Sequence, residues 1–255
     1  RGIVRYVTAG TLTEDSLLDA RSDNMLVAVA QIGGQAGGEI GIAAADISTG
    51  RFETVTATTE TLVAEIARLR ASEVILADGC TLLAAGPITG VYHFDKSAFS
   101  SSKAEARLKR LFGLATLDSL GAFTRAELAA VGGLLGYLDH AGQGTLPHLA
   151  PPVRLAPGSH MAIDAATRES LEIVQTMTGQ RAGSLLHAVD RTVTGAGARL
   201  LGADLSSPLF DRSQIEARLG HGGRNGPVAA GSWVPAASSG GLAGGGGGGG
   251  GRGGL

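Results

Sequence analysis

The sequence has few cysteines, few lysines and few aromatic residues. Cys80 is its only cysteine, so an internal disulfide and a zinc site built from several cysteines are excluded. The lysines are Lys96, Lys103 and Lys109, and arginine carries most of the positive charge. The formal net charge of −2 lacks the basic balance that is typical of nucleic-acid-binding domains. Charge alone therefore does not indicate a DNA-binding role for this stretch.

Long apolar runs are also missing. No stretch approaches the roughly 20 apolar residues that a membrane-spanning helix needs, so we expect no membrane partner. Residues 1–5 (RGIVR) lack the apolar centre of a signal peptide, which predicts a cytoplasmic location. Because the chain does not begin with Met, we expect it to be an internal piece of a longer protein.

Motifs of the common catalytic classes are absent from the sequence. The phosphate-binding loop G-x-x-x-x-G-K-[ST] does not occur. Its nearest approach, residues 179–184, lacks the lysine and is interpreted as a helix end followed by the capping Ser184 of the next helix. The H-x-x-x-H and H-E-x-x-H zinc spacings and the G-x-S-x-G elbow are missing as well. We therefore assign no catalytic, cofactor-binding or metal-binding residue to this chain.

Three regions follow one another along the chain. Residues 1–115 mix strands and helices, residues 116–219 read almost wholly as helix, and residues 220–255 form a low-complexity tail. The strands predicted in the first region are 24–31, 39–46, 51–56 and 73–77, and the predicted helices are 60–70 and 103–112. Leu108, Leu111 and Phe112 are expected to face inward. An antiparallel meander followed by a helix and a strand indicates an α/β domain.

Capping residues mark the helix starts in the second region. Thr124 and Glu127 have the spacing of a capping box. The helix that follows carries an apolar stripe at Leu128, Val131, Leu134, Leu135 and Leu138. Asp164 predicts a further helix, with an apolar stripe and a glycine end at Leu171, Val174, Met177 and Gly179. Ser184, Thr194 and Asp211 predict the starts of three more.

The tail has an unusual composition. Residues 244–251 are an unbroken run of glycine, which has no side chains to bury and loses the most backbone entropy on ordering. We expect the tail to be disordered, or to be the product of a frameshift in a GC-rich gene. A clean reading of the DNA in this frame would contradict the frameshift.

The predicted order of strands suggests an RNase H-like domain, so a metal-dependent nuclease is the enzyme class to consider. Such nucleases hold metal ions with clustered carboxylates, and the candidates here are Asp46, Glu65 and Asp78. The first strand offers no carboxylate, however. Asp46 is better explained by turn chemistry with Gly50. We interpret Glu65, near Arg68 and Arg70, as part of a solvated helix face.

Four blocks of sequence, in a fixed order, carry a resemblance to a known family. They are VTAGTLTEDSLL at 7–18, DISTGRF at 46–52, MAIDAATRESLE at 161–172, and GSLLHAVDRTVT at 183–194 with GARLL at 197–201. Pro208-Leu209 and IEARL at 215–219 complete the last block. These blocks resemble the MutS family of DNA mismatch repair proteins. Ala9 replaces the family's Pro, Ser170 stands where Asn is common, and 202–204 stand where a Trp is common.

The resemblance implies an RNase H-like connector domain at 1–115, followed by part of the all-α core, or lever, domain at 116–219. In the family the connector links the mismatch-reading domain to the levers and contacts MutL, and the levers couple the ATP state to a sliding clamp on DNA. The full-length family protein binds mismatched double-stranded DNA, ATP and Mg²⁺ and is expected to form a homodimer. The mismatch-reading F-x-E motif, the DNA-gripping clamp and the Walker-type ATPase of the family are all missing here. Because the ATPase is missing, this chain is expected to bind no cofactor itself.

Three hypotheses of function follow from these features. The first is a mechanical segment of a mismatch repair ATPase, which links domains and transmits conformational change without hydrolysing anything itself. The second is a stand-alone connector–lever module that binds MutL without touching DNA. The third and weakest is the metal-dependent RNase H-like nuclease. Because lever helices pack on other helices of the family protein, we expect Leu185, Leu186, Leu200 and Leu201 to be partly exposed.

Overall fold

The computed structural model describes residues 7–12, 19–33, 38–83, 88 and 90–224, with side chains to residue 219. In this part of the chain the strands form a six-stranded mixed sheet, in the order β5-β4-β1-β2-β3-β6. The strands are β1 (Met25–Ile32), β2 (Glu39–Asp46), β3 (Arg51–Ala57), β4 (Ala71–Ala77), β5 (Val91–Phe94) and β6 (Val153–Arg154). β1, β2 and β3 form an antiparallel meander, whereas β4 and β5 run parallel to β1.

The helices are α1 (Leu62–Leu69), α2 (Ser101–Phe112), α3 (Arg125–Ala141), α4 (Ala165–Ser170), α5 (Leu185–Val189), α6 (Gly195–Ser206) and α7 (Arg212–Arg224). Alternation along the strands gives the sheet two apolar faces. One face packs against α1, whose Leu62, Ile66 and Leu69 are buried there. The other face packs against α2 and α3. The sheet is therefore the middle layer of three, as expected of an α/β arrangement with helices on both faces.

The strands and helices predicted for the first region are confirmed, with bounds that differ by at most two residues at either end. The capping box of α3 is present, because Thr124 Oγ1 accepts from the Glu127 amide and Glu127 Oε2 accepts from the Thr124 amide. The predicted stripe of α3 is buried along its whole length. Leu111, expected to face inward, is 41% exposed instead, because it lies on the outer side of α2 while Leu108 takes the buried position.

The change of region expected at residue 115 does not coincide with a change in packing. α3 lies beyond that boundary, yet its apolar stripe closes the core over β1 and β2. β6, further along still, pairs with β3. The sheet layer therefore includes residues up to 154, and the strictly helical part of the described chain follows it.

The helix expected from Asp164 to Gly179 is much shorter than predicted. Asp164 caps it as expected, by accepting from the Thr167 amide, but α4 ends at Ser170. Glu172 adopts a positive φ of 45°, which interrupts the helical path. Leu171 and Met177 are exposed rather than buried. The expected starts at Ser184 and Thr194 are confirmed as the N-caps of α5 and α6.

Two further outcomes concern the end of the chain and the lever leucines. α7 continues through residue 224, so the helical backbone extends past the expected start of the tail at 220. The rest of the tail, with its expected disorder or frameshift, lies outside the described residues. Leu185 and Leu200 are about half exposed, as expected, whereas Leu186 is 1% exposed because it is buried next to α6.

Candidate functional site

The nuclease carboxylates do not gather into a metal site. Asp46 is fully buried and accepts from the amides of Asn24 and Ser48, and from the Ser48 hydroxyl. Glu65 pairs with Arg68, whereas Asp78 is exposed in the turn after β4. Among the residues that the structure describes, no group of three or more His, Cys, Asp or Glu side chains is placed to hold a metal ion.

The turn after β2 explains the DISTG sequence. Asp46 Oδ1 accepts from the Ser48 amide at 2.8 Å, and the Gly50 amide donates to the Asp46 carbonyl at 2.8 Å. Gly50 has a φ of 76°, which glycine adopts without strain. The interpretation of Asp46 as a turn residue is confirmed by these contacts. The same carboxylate also binds the Asn24 amide, and so fixes the start of β1 to this turn.

A chain of ion pairs lies on the α1 side of the sheet, at the end that faces the later helices. Arg51 bridges Asp23 at 3.1 Å and Glu53 at 2.7 Å, and Arg68 bridges Glu53 at 3.2 Å and Glu65 at 2.7 Å. The Glu53 and Arg68 side chains are 6% and 5% exposed. The expected solvated face at Glu65 and Arg68 is therefore wrong, because Arg68 points into this buried network.

In this network, burial and ion pairing shift the pKa values of the carboxyl groups in opposite directions. Burial by itself raises the pKa of Glu53, but Arg51 and Arg68 outweigh it and hold that pKa below its usual value. For Asp23 the order is reversed: burial raises its pKa, and the attraction of Arg51 offsets only part of that rise. Glu53 is therefore held as a carboxylate between two guanidinium groups, whereas ionised Asp23 is held less favourably.

Sequence reasoning missed this network because its members are far apart in sequence. One signal was available: β3 places Arg51 and Glu53 two residues apart, and therefore on one face of the strand. That face packs against α1, and a charged pair rarely occupies a covered face without a further partner. The partner, Arg68, comes from α1.

The later helices approach the same end of the sheet. Arg168 of α4 is buried and donates through Nη1 to the Ser206 carbonyl at the end of α6. A small cavity of about 10 Å³, lined by Arg51, Arg68, Arg70, Ser206 and other residues, lies between α6 and the ion-pair network. A cluster of arginines thus surrounds the carboxyl end of α6, where the helix dipole favours positive charge.

A second polar contact joins the segment before β1 to the helices. Asp190, after α5, pairs with Arg21 at 2.8 Å and with Arg181 at 2.6 Å. It also accepts from the amide and the hydroxyl of Thr192. Hydrogen bonds from Thr192 and Arg21 hold the pKa of Asp190 well below its usual range. The sequence DRTVT therefore acts as a turn, and its last threonine, Thr194, caps α6 by accepting from the Gly197 amide.

Sequence reasoning also assigned no function to residues 179–184 and to the histidines. Ser184 caps α5 by accepting from the His187 amide, as expected. Gly179 does not end a helix, because α4 already ends at Ser170.

Within the described residues, no helix is both long and apolar enough to cross a bilayer.

Comparison with known proteins assigns the chain to a class. Residues 24–150 match the family model for MutS domain II, and residues 166–221 match the model for MutS domain III. The chain belongs to the MutS family. Its strictly helical part begins between these two matched ranges.

Relatives in several bacteria carry the name DNA mismatch repair protein MutS. The protein of Zymomonas mobilis is 53% identical over 221 residues, which is 86% of this chain and 25% of the relative. That of Erythrobacter litoralis is 51% identical over 219 residues, or 86% of this chain and 24% of the relative. That of Cereibacter sphaeroides is 48% identical over 244 residues, or 92% of this chain and 25% of the relative. The chain thus spans about a quarter of the length of these curated relatives.

Proposed function

We propose that this chain serves, within a cytoplasmic mismatch repair protein, as the mechanical link between an α/β connector and a helical lever. The whole protein would recognise mismatched double-stranded DNA as a homodimer and would bind and hydrolyse ATP with Mg²⁺. The chain itself would transmit conformational change between those activities. The relatives support this role, since they are mismatch repair proteins by name.

The single observation that carries the proposal is the polar junction between the sheet layer and the later helices. It consists of the Asp190 contact with Arg21 and Arg181, together with the arginines around the end of α6. The Asp190 contact is specific in geometry, since one carboxylate oxygen accepts from both guanidinium groups. Such a contact suits a sheet layer and a group of helices that hold one defined relative orientation and can switch to a second one.

The finer fold assignment is also a proposal. The strand order β3-β2-β1-β4-β5, with the first three strands antiparallel and the last two parallel to β1, supports an RNase H-like connector. We place the end of this connector near residue 154, after β6, rather than at 115. Residues beyond it would form the first part of the lever domain.

We propose that the chain catalyses no reaction of its own. Asp46 is occupied by turn hydrogen bonds, and Glu65 by Arg68. Incubation of the purified chain with duplex DNA and RNA in Mg²⁺ or Mn²⁺ is expected to yield no cleavage. Cleavage that is lost in Asp46→Asn would revive the nuclease hypothesis.

The test of mechanical coupling is Asp190→Asn in a complete protein that carries this chain. The amide can still accept from Thr192, but the ion pairs with Arg21 and Arg181 are lost. Mismatch affinity without nucleotide is expected to stay within about twofold, while ATP-dependent release from the mismatch slows roughly tenfold, which is a typical coupling energy. Glu105→Gln is the control, because it removes a carboxylate from a half-exposed pair on α2.

Either of two results would contradict the proposal. One is ATP-dependent release that is unchanged in Asp190→Asn. The other is an equal loss of mismatch affinity and of release, which would show a folding defect in place of lost coupling. Circular dichroism and a urea titration of both variants separate these cases.

A MutL-binding module is the second candidate function, and one surface supports it. α2 carries Lys103, Arg107, Lys109 and Arg110, against the single acidic residue Glu105. Arg107, Arg110 and the exposed Leu111 line a groove of about 470 Å³ with Leu146 and Asp139. Arg107 is paired with Asp139 at 2.6 Å, so Arg110 is the groove's basic group without an acidic partner among the described ion pairs. An exposed leucine beside such an arginine fits a partner segment that is acidic and apolar.

The expected result for the second candidate is capture of purified MutL by the chain alone, without DNA. Arg110→Glu would then reduce capture roughly tenfold or more, whereas Arg125→Glu, an exposed arginine at the start of α3, would not. Capture that is equal in wild type and Arg110→Glu would remove this surface from the interaction.

A further inference from the structure

Residues 19–24, which we term the strap, lie between the later helices and the start of β1. Within the strap, Asp19 Oδ1 accepts from the Arg21 amide at 2.9 Å and Asp19 Oδ2 accepts from the Ser22 hydroxyl at 2.8 Å. The Ser22 amide donates to the Asp19 carbonyl. These local bonds make residues 19–22 a compact turn.

The strap contacts the helices through several groups. Arg21 Nη2 donates to Asp190, at 2.8 Å, and to the Thr192 carbonyl, at 3.2 Å. In return, Arg199 of α6 donates to the Ala20 carbonyl. At the start of α6, a Cβ added to Gly195 would lie 2.6 Å from the Ala20 oxygen, so glycine permits this close approach.

The other end of the strap holds a short 3-10 turn, Ala9–Thr11, which precedes it in the chain. Asn24 Nδ2 donates to the Ala9 carbonyl at 2.9 Å, while the Asn24 amide donates to Asp46. Asn24 is 9% exposed. One buried side chain therefore joins the turn, the strap and the sheet.

The turn itself is held on the sheet by a buried carboxylate. Glu73 of β4 accepts from the Gly10 amide at 3.0 Å through Oε2, and from the Tyr137 hydroxyl at 2.5 Å through Oε1. Gly10 fits against Leu26 so closely that an added Cβ would lie 2.5 Å from Leu26 Cδ1. Burial and the bond to Glu73 raise the pKa of Tyr137, so its hydroxyl remains a donor at neutral pH. The turn is thus a docked element with a defined receptor.

We propose that the strap couples the orientation of α5 and α6 to the docking of the Ala9–Thr11 turn, with Asn24 as the link. When Arg21 releases Asp190, the strap keeps only its weaker contacts with the helices, such as that of Arg199 with the Ala20 carbonyl, and the hydrogen bond from Asn24 to the turn weakens as a result. Glu73 and Tyr137 then hold the turn alone. The purpose of this coupling rests on the proposed mechanical function, but the coupling itself is a property of the chain without DNA or nucleotide.

The test is amide hydrogen exchange at Gly10, measured by NMR on the full chain. Its rate is divided by that of Val29, an amide in the middle of β1 that reports global unfolding, so that a rise in the ratio marks opening confined to the turn. Arg21→Gln is expected to raise the ratio about threefold or more, and Asn24→Ala to raise it roughly tenfold, the effect of one hydrogen bond. In the double variant the ratio is expected to equal that of Asn24→Ala alone, because the link is already cut.

The matched control is Arg212→Gln, since Arg212 pairs only with Glu216 on the exposed α7 in the described contacts. It is expected to leave the Gly10 ratio unchanged. The proposal is overturned if Arg21→Gln leaves the ratio unchanged, or if the effects of Arg21→Gln and Asn24→Ala multiply in the double variant. Tyr137→Phe checks the receptor, and a ratio unchanged by it would remove the Tyr137 hydroxyl from the receptor. None of these outcomes depends on the release assay with Asp190→Asn.

Discussion

At the scale of single residues, Glu53 is expected to govern how the stability of the junction falls in acid. Its folded-state pKa lies below its usual value, so the stability it contributes is present above about 4.5 and is lost as pH falls through the depressed pKa. Glu53→Gln leaves the buried Arg68 with Glu65 as its remaining charge partner, so we expect a cost of about 3 kcal/mol at neutral pH, the lower end for a broken buried pair. Urea unfolding of wild type and variant, from about pH 3 to about pH 7, measures both effects. The variant is expected to be less stable at neutral pH, with a flatter acid limb.

Asp23 provides the comparison for Glu53, because burial shifts its pKa in the opposite direction. A carboxyl with a raised folded-state pKa is favoured when protonated, so its contribution to stability is lost as pH rises. Asp23→Asn is therefore expected to cost less at neutral pH than Glu53→Gln. An acid limb that is equally steep in wild type and Glu53→Gln would contradict the assignment of Glu53.

Gly41 permits the closest approach between sheet and helix. A Cβ at this position would lie 2.1 Å from the Ala126 carbonyl carbon and 2.3 Å from the Glu127 nitrogen. Gly41→Ala must therefore displace α3, and we expect a loss of about 1–3 kcal/mol or more in urea unfolding.

Gly202 is the matched comparison for Gly41. A Cβ there meets Leu186 Cδ2 at 3.5 Å, an ordinary contact, in the interior of α6. Gly202→Ala is expected to stabilise the chain by about 0.5–1 kcal/mol through helix propensity. Equal effects of the two substitutions would show that close approach does not matter at Gly41.

At the scale of elements, α6 depends on its cap. Thr194 Oγ1 accepts from the Gly197 amide at 3.1 Å, and three of the first eight helical residues are glycine. Thr194→Ala is expected to cost about 1 kcal/mol and to increase hydrogen exchange in the first turn of α6. Thr194→Ser retains the acceptor and should behave like the wild type; a defect in Thr194→Ser as large as that in Thr194→Ala would show a role for the methyl group instead.

The elements that could be predicted from sequence are those whose own residues determine them. α3 has a capping box and a full apolar stripe, and both are present. β5 has four residues, paired only with β4, and β6 has two, so neither gave a readable pattern. The helix expected through Met177 was wrong, because spacing alone does not supply a surface to bury its apolar face.

The candidate site was less predictable than the fold. Family resemblance and the absence of catalytic motifs indicated a linking role, and turn chemistry at Asp46 could be seen in the sequence. The contacts of Glu53 with Arg68, and of Arg21 with Asp190, join residues 15 and 169 positions apart. No local pattern encodes such pairs, since they arise only when the sheet and the helices have folded.

At the scale of the whole molecule, burial is uneven. β1 and α3 are almost fully buried, whereas Leu171, Met177 and Val193 in the helical part are 56%, 70% and 96% exposed. We expect amides of β1 and α3 to exchange only through global unfolding, and those of α5 and α6 to exchange faster through local opening. Hydrogen exchange followed by mass spectrometry measures this difference. Similar protection in both parts would contradict it.

The position of β6 decides where the chain can be truncated without exposing a strand edge. The match to MutS domain II ends at residue 150, but Val153 and Arg154 form the outer strand beside β3, and the Leu155 amide donates to Thr54. A truncation at 150 would uncover the free edge of β3, and uncovered strand edges pair with one another between molecules. Such a truncated product is expected to self-associate, whereas one that ends after residue 155 should stay monodisperse at the same concentration.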